Sequence, residues 1–197
     1  MLKIGITGNI GSGKTTVSKI FEILGVPVFY ADDEAKKIMV TDILLMNQIR
    51  SVFGGISYFE DGTLNRKHIA SIVFNCSSEL DKLNKLVHPA VFRAFDAWVK
   101  RFTNEPYVLK EAALLFESDS YKMCDHTIIV TTPLGIRIKR VMKRDGLSKT
   151  DVENRNARQF SQEKKAELAD YIIENDDKQL VIPQVLALHD QFLSFKN

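Results

Sequence analysis

Short apolar runs recur along this chain, separated by longer segments whose apolar residues follow helical spacing. The runs at 2–7, 26–30, 106–109, 127–131 and 171–173 are rich in Val, Ile, Leu, Phe and Tyr, as strands are. Helical segments lie between successive runs, and strands connected through helices pair in parallel. The pattern therefore predicts an α/β fold with a five-stranded parallel sheet flanked by helices on both faces.

Helical periodicity is clearest in three segments. In residues 16–24, the apolar side chains at 17, 20, 21 and 24 share one helix face. Pro133 suits the first turn of a helix that we expect to end near residue 145. N–H groups in that turn have no partner within the helix, so a proline, which lacks an N–H, costs no hydrogen bond there. Residues 181–195 have the pattern of a closing amphipathic helix. We expect these helices to pack their apolar faces on the sheet.

Two segments do not fit the strand–helix alternation. Residues 34–103 are mostly helical, with turns predicted at Gly54-Gly55 and Asp61-Gly62, and form a candidate helical insertion. Residues 145–168 are polar and charge-rich without a strong apolar face, which favours a mobile lid. We expect a single domain, and its core comprises about residues 1–33, 104–144 and 169–197. The apolar character that follows residue 106 continues over residues 112–116.

Composition disfavours several classes of protein. The 197 residues are 45% apolar and 26% charged, and a formal net charge of +2 argues against nucleic-acid or polybasic membrane binding. No apolar run approaches roughly 18 residues and no secretory leader pattern is present, so no membrane span is expected. Cys76 and Cys124 are the only cysteines and form no CxxC pair. Two lone thiols predict a cytoplasmic protein without a disulfide framework or zinc site.

A glycine-rich segment after the first strand carries the strongest chemical signal. Residues 8–15, GNIGSGKT, match GxxxxGK[ST], with a predicted strand before them and a helix starting within them. Glycines let backbone N–H groups face inward around phosphates, and the helix N-terminus adds its positive end. Lys14 is expected to reach the β- and γ-phosphates, and the Thr15 hydroxyl to ligate Mg²⁺. The predicted nucleotide-binding residues here are Gly8, Asn9, Ile10, Gly11, Ser12, Gly13, Lys14, Thr15 and Thr16.

Other nucleotide-binding patterns are missing from the sequence. The dinucleotide pattern GxGxxG fails because Ile10 occupies the position of its second glycine. The guanine pattern NKxD fails because Asn84-Lys85 is followed by Leu86-Val87, and DxxG does not occur. A nicotinamide cofactor and a GTPase switch are therefore disfavoured.

Further segments occur in an order typical of one enzyme family. They are 6–14, 31–32, 61–66, 86–89, 114–117, 140–145, 155–159 and 169–175, and they span nearly the whole chain. With these segments the chain resembles dephospho-CoA kinase, which adds the 3′-phosphate in the last step of coenzyme A synthesis. Tyr30 and Ala113 depart from the family's usual Asp and Pro, and Glu111 replaces an Asp. Asp176-Asp177 follow Asn175 where the family usually has a glycine.

The resemblance implies a P-loop kinase fold with a helical acceptor-binding insertion and a mobile lid. It implies ATP and Mg²⁺ as cofactors and dephospho-CoA as the small-molecule substrate. A monomer suffices, because one chain contains every expected part.

Asp32 follows the second strand and so is expected at the carboxyl edge of the sheet, where ligands of such sheets bind. The resemblance makes it the catalytic base for the ribose 3′-hydroxyl. The alternative is an ordinary helix N-cap. Lys36 lies four residues later on the same helix face, where it contacts a substrate phosphate, Asp32 itself or only solvent.

The resemblance assigns three more residues to the acceptor side. Arg66 is expected to bind the pyrophosphate of dephospho-CoA, because a guanidinium group can donate two parallel hydrogen bonds to phosphate oxygens. His88 is also placed with the acceptor, the alternative being a capping residue before a helix that starts at Pro89. Glu117 has two open roles, substrate contact or helix capping. Glu111, at the predicted end of the third strand, is the candidate carboxylate for Mg²⁺.

Basic residues cluster around the predicted lid. Arg140 and Arg144 are four residues apart and so project from one helix face, and Arg155 lies within the lid. Charge that develops on a transferred phosphoryl group calls for guanidinium groups brought in by closure, so Arg140 is a candidate catalytic residue beside Lys14. Arg144 is assigned to the nucleotide and Arg155 to the substrate. A solvated basic helix is the alternative, and Asn175 is the candidate adenine contact.

Three functions are consistent with these residues. The first is transfer of the ATP γ-phosphoryl group to dephospho-CoA. The second is a P-loop kinase for another small acceptor, such as a nucleoside or nucleotide. The third is a nucleotide-binding regulatory module without an acceptor, which has no need of Asp32 or of a basic lid.

Overall fold

The structure is a computed structural model that describes residues 1–73 and 76–195. Within them, five parallel strands form one sheet in the order β2-β3-β1-β4-β5. The strands are β1 (Leu2–Thr7), β2 (Val28–Tyr30), β3 (Tyr107–Glu111), β4 (His126–Thr131) and β5 (Tyr171–Glu174). The predicted five-stranded parallel sheet is confirmed. β3 ends at Glu111, and the chain then leaves the sheet and turns.

Nine α-helices occur among the residues that the structure describes. They are α1 (Lys14–Ile23), α2 (Ala31–Thr41), α3 (Ile43–Phe53), α4 (Arg66–Val73), α5 (Ser77–Val99), α6 (Leu134–Asp145), α7 (Lys149–Asn156), α8 (Gln162–Leu168) and α9 (Val181–Ser194). No helix in the described part of the chain is long and apolar enough to cross a membrane.

The chain divides into two compact units. One, here called the sheet unit, consists of Met1–Tyr30 and the chain from Val99 onward. The other, the helical unit, is Ala31–Trp98 and contains α2 to α4 and nearly all of α5.

In the sheet unit, the core forms around the central strand. β1 pairs with β3 along one edge and with β4 along the other, and its Ile4 and Ile6 have no exposed surface. Phe21 of α1 and Tyr107 of β3 are almost fully buried and meet edge to face, with ring centroids 6.5 Å apart. The Tyr107 hydroxyl lies 2.6 Å from Nδ1 of His189 in α9, and burial raises the pKa of Tyr107. α1 and α9 are therefore both packed against β3 through Tyr107.

In the helical unit, α5 runs without interruption through Pro89. Pro89 therefore does not start a helix, and the capping alternative for His88 is wrong. Proline removes one hydrogen bond inside a helix, at a cost of about 3 kcal/mol or more. A continuous stripe of buried residues on both sides of Pro89 offsets that loss: Leu83, Val87, Ala90, Val91 and Phe95.

The packing of α1 gives a prediction about stability. Phe21→Ala is expected to lower the free energy of unfolding by about 3–5 kcal/mol, because Phe21 has no exposed surface and truncation leaves a cavity. Ile23→Ala is the matched control on the same helix. Ile23 is 83% exposed, and its change is expected to stay within about 0.5 kcal/mol. Urea unfolding followed by circular dichroism measures both, and equal losses would contradict this account of the core.

Candidate active site

The loop between β1 and α1 depends on glycines at two positions. Gly11 has a φ of +81° and Gly13 a φ of +89°, the left-handed region that other residues avoid. Both glycines also lie against neighbouring groups. A Cβ on Gly11 would come 2.6 Å from the Arg137 carbonyl oxygen, and one on Gly13 would come 2.3 Å from Nδ2 of Asn175. Only glycine fits either position.

α1 presents its N-terminus at the end of this loop. Its first backbone hydrogen bond runs from the Val17 N–H to the Gly13 carbonyl, 3.0 Å away. The N–H groups of Lys14, Thr15 and Thr16 therefore precede the first intrahelical donor and point out of the helix end. Their partial positive charge adds to the helix dipole, which makes this end suited to an anion.

Glu111 brings together the two polar side chains at the start of α1. It is the last residue of β3 and pairs in register with Ile6 of β1. Its Oε1 lies 3.2 Å from Nζ of Lys14, and its Oε2 accepts a hydrogen bond of 3.2 Å from the Thr15 hydroxyl. The Glu111 side chain is only 7% exposed. A buried carboxylate thus fixes an ammonium and a hydroxyl at the carboxyl edge of the sheet.

Arg140 of α6 contacts the turn that follows β5. Its Nη2 donates to the carbonyl oxygen and to Oδ1 of Asn175, each at 3.3 Å, and to Oδ1 of Asp177 at 2.5 Å. Asn175 in turn donates from Nδ2 to the Ser12 carbonyl at 2.8 Å. The phosphate loop, the end of β5 and Arg140 therefore form one hydrogen-bonded group.

Arg144, one turn further along α6, is bound to its neighbour. It donates to both carboxylate oxygens of Asp145, at 2.7 and 2.9 Å. These hydrogen bonds lower the pKa of Asp145, and the positive charges of Arg144 and Arg155 lower it further. Arg155 itself is exposed on α7. The three arginines predicted around the lid thus occur on consecutive helices of the sheet unit.

A cavity of about 340 Å³ lies over the loop, within the range of small-molecule sites. Nine predicted nucleotide-binding residues line it, together with the catalytic candidate Arg140 and with Val141: Asn9, Gly11, Ser12, Gly13, Lys14, Thr15, Thr16, Arg144 and Asn175. Gly8 and Ile10 belong to the same loop but pack elsewhere. A Cβ on Gly8 would come 2.3 Å from the Ser12 hydroxyl, and the Ile10 side chain packs in a small core beside α6.

The segment between α7 and α8 is hydrogen-bonded to the outer side of the loop. Oε1 of Gln159 accepts from the Ile10 N–H at 2.8 Å, and its Nε2 donates to the Ala113 carbonyl at 3.3 Å. Asn9 donates from Nδ2 to the Phe160 carbonyl at 2.9 Å. Gln159 therefore connects the phosphate loop to the chain that leaves β3.

Glu117 lies at an anchor point of the same segment. Its Oε1 accepts from the Phe160 N–H at 2.8 Å and lies 3.0 Å from Nζ of Lys165. Lys165 has no exposed surface and also donates to the Ala113 carbonyl at 2.8 Å. The Glu117 carboxylate thus holds the chain just before α8 but does not cap that helix, because the N-cap of α8 is Ser161, whose side chain accepts from the Lys164 N–H.

In the helical unit, Asp32 is exposed in the first turn of α2, two residues after β2 ends. Because α2 begins at Ala31, Asp32 is not its N-cap, and that alternative is wrong. Lys36 donates to Asp33, at 2.7 Å, and not to Asp32.

The other acceptor-side candidates lie further along the helical unit. Arg66 is exposed as the first residue of α4, and the ring of His88 in α5 stacks on Phe92 with centroids 6.3 Å apart.

Sequence reasoning missed several residues that shape the cavity. The buried Thr132 hydroxyl lies 3.0 Å from the Ser12 carbonyl oxygen and 2.9 Å from that of Asn175, and Val141 forms part of the wall. No local pattern identifies either residue. Asp177 was noted only as a departure from the family's glycine. Gln159 could have been found, since it ends the matching segment 155–159.

Known proteins are similar to this chain over most of its length. A family model described as dephospho-CoA kinase matches residues 2–180. Dephospho-CoA kinase from Salinibacter ruber is 43% identical over 178 residues, 89% of this chain and 89% of that protein. The crystal structure of TT1252 from Thermus thermophilus has a TM-score of 0.83 at 31% identity and covers 100% of this chain and 98% of that one. Dephospho-CoA kinase from Campylobacter jejuni has a TM-score of 0.72 at 26% identity, covering 99% and 98%.

The match extends well beyond the phosphate loop, which many unrelated enzymes share. It includes the helical unit, the segment around α7 and α8, and the end of β5. On this evidence the chain belongs to the dephospho-CoA kinase family.

Proposed function

We propose that this protein transfers the γ-phosphoryl group of ATP to the ribose 3′-hydroxyl of dephospho-CoA, giving coenzyme A and ADP. Membership of the dephospho-CoA kinase family supports the identity of the acceptor. The observation that supports phosphoryl transfer most directly is the arrangement at Glu111, which holds Lys14 and Thr15 beside the open end of α1. We further propose a monomeric, cytoplasmic enzyme, in keeping with two free thiols at Cys76 and Cys124.

The donor would bind with its triphosphate on the loop. The N–H groups at the start of α1 and the Lys14 ammonium would neutralise the β- and γ-phosphates. Asn175 and Arg144, which line the same cavity, would contact the nucleoside part and its phosphates. The volume of about 340 Å³ leaves room for a ligand of this class.

Thr15 and Glu111 are suited to Mg²⁺. Both supply hard oxygen donors, the Thr15 hydroxyl and the Glu111 carboxylate, 3.2 Å apart. Mg²⁺ commonly takes only one or two protein ligands and completes its shell with water and substrate phosphates. When bound there, Mg²⁺ would supply positive charge that offsets the negative charge of the phosphate oxygens.

The chemical step needs few protein groups. The bond from the γ-phosphorus to the β–γ bridging oxygen breaks, a bond forms from the ribose 3′-oxygen to the γ-phosphorus, and the hydroxyl proton passes to the Asp32 carboxylate. A carboxylate is a weak base at neutral pH, so orientation of the hydroxyl is the larger part of the contribution of Asp32. Arg140 would stabilise the negative charge on the phosphoryl group during its transfer.

The remaining predicted residues belong to acceptor recognition and closure. Lys36, Arg66 and His88 would bind the acceptor within the helical insertion of about residues 34–103. Arg155, on the lid of about residues 145–168, would reach the substrate when the lid closes. Exposed basic groups at Arg66 and Arg155 support both assignments, because they are accessible to a phosphorylated ligand.

The acceptor is tested with a coupled assay of ADP release in ATP and Mg²⁺. Dephospho-CoA is expected to be phosphorylated with a kcat/KM at least about 100-fold above adenosine, AMP or pantothenate, because only it presents both the pyrophosphate and the free 3′-hydroxyl. Mass spectrometry of the product checks the site of transfer. Comparable rates with a simple nucleoside or nucleotide would favour the second candidate function instead.

Asp32→Asn tests the base. The amide cannot accept the hydroxyl proton, so kcat is expected to fall by about 100-fold or more while ATP affinity stays within about threefold. Glu34→Gln is the matched control, since Glu34 lies in the same first turn and pairs with Lys37, outside the proposed site. Near-normal transfer by Asp32→Asn would remove Asp32 from the mechanism.

Gly13→Ala tests the phosphate loop. The new Cβ would displace Asn175 from the Ser12 carbonyl, so ATP affinity measured by calorimetry is expected to fall at least about tenfold. Gly25→Ala is the control for backbone strain alone. Gly25 has a φ of +87°, close to the +89° of Gly13, but a Cβ there meets nothing within 4 Å. Equal loss of ATP affinity in the two variants would contradict this account of the loop.

A further inference from the structure

Asp177 has an unusual backbone conformation for a residue with a side chain. It lies in the turn between β5 and α9 with a φ of +64°. Among the described residues other than glycine, only Asp119 shares a positive φ, at +59°. Asparagine and aspartate tolerate this conformation better than most residues, but glycine adopts it without strain. The aspartate side chain at this position must therefore make an interaction that glycine could not make.

The Asp177 carboxylate is directed at a residue of the cavity. Its Oδ1 lies 2.5 Å from Nη2 of Arg140, which lines the space over the phosphate loop. The carboxylate of Asp119 instead pairs with Lys122, at 3.0 Å, and neither residue lines that cavity. Both aspartate side chains are 64% exposed. The two residues thus match in backbone conformation and exposure but differ in the partner that they bind.

The two ends of the Arg140 guanidinium face different surroundings. Nη2 donates to Asp177 and to both oxygens of Asn175. Nη1 lies on the side of the phosphate loop, 3.8 Å from the position that a Cβ on Gly13 would occupy. Because the guanidinium is planar and rigid, fixing one nitrogen also sets the direction of the other. The carboxylate and a phosphate on the loop can therefore engage different nitrogens of the same group.

We propose that Asp177 is a positioning residue for phosphoryl transfer, which holds Nη2 of Arg140 so that Nη1 is directed at the phosphates. This rests on the proposed function, because it takes Arg140 to act on the transferred group. The two contacts to Asn175 are long, at 3.3 Å each, whereas the contact to Asp177 is short and joins opposite charges. All three hydrogen bonds have an ionised donor, but only the one to Asp177 is both short and made to a second full charge, so Asp177 makes the largest contribution to the orientation.

The test compares Asp177→Asn and Asp177→Gly with Asp119→Asn and Asp119→Gly. The Asp177 variants are expected to lower kcat about 10-fold for Asn and up to about 100-fold for Gly, with KM for ATP within about threefold, because misplacement of a catalytic group acts on the transition state. The Asp119 variants are expected to change kcat less than about twofold. Glycine suits a positive φ, so neither glycine variant is expected to lower Tm. Lost activity without lost stability separates positioning from a merely structural role.

A double-mutant cycle with Arg140→Met identifies the residue through which Asp177 acts. Arg140→Met is expected to lower kcat by about 10³-fold, and adding Asp177→Asn to it is expected to change kcat less than about twofold further. Three results would overturn the proposal: equal effects of Asp177→Asn with and without Arg140, an equal fall in the Asp119 variants, or a rise in kcat or ATP affinity. The last would mean that the carboxylate competes with phosphate for Arg140.

The double-mutant cycle tests the role of Asp177 whether or not dephospho-CoA is the acceptor. If wild-type protein phosphorylates another compound and not dephospho-CoA, the proposed function fails, while the cycle is measured with that compound. If no acceptor reacts, the cycle is measured on the slow hydrolysis of ATP to ADP, and loss of the coupling there overturns the positioning role alone.

Discussion

The left-handed conformation of Gly11 and Gly13 is the constraint on which the cavity depends. It turns the chain so tightly that α1 begins only one residue after the turn ends, with its N–H groups open. It also brings the loop against Arg137 and Asn175, so near that no side chain fits between them. The Ser12 carbonyl then meets the Thr132 hydroxyl and the Asn175 amide, which tie the loop to the ends of β4 and β5. This tight turn is thereby held in place by the strands on one side of it.

On the other side of β1, Glu111 holds the start of α1 in place. As the last residue of β3 it is positioned by the sheet, and it fixes the first two side chains of α1. Lys14 and Thr15 therefore need little reorganisation when a charged ligand arrives, which is how preorganised sites lower the cost of binding and of charge development. Asp177 would extend the same principle to Arg140.

Local signals made the sheet and the phosphate loop predictable from the sequence. The strands are short runs of apolar residues, and the loop is a continuous pattern with its own strand and helix, so neighbouring residues suffice to recognise both. Contacts between distant residues were not predictable. The segment 145–168 has no strong apolar face, yet Val152 is 1% exposed and Lys165 is fully buried. Likewise α5 continues through Pro89 because a buried stripe outweighs one lost hydrogen bond.

The Lys165–Glu117 pair has a consequence for how this sequence can diverge. An ammonium without exposed surface is tolerated because a carboxylate and the Ala113 carbonyl surround it. Replacing one member alone leaves a charge without a partner in the interior, which lowers the free energy of unfolding by about 3–5 kcal/mol. Replacing both by an apolar pair of similar volume often leaves that free energy unchanged. Substitutions at the two positions are thus expected to occur together or not at all, which makes them a correlated pair across relatives of this chain.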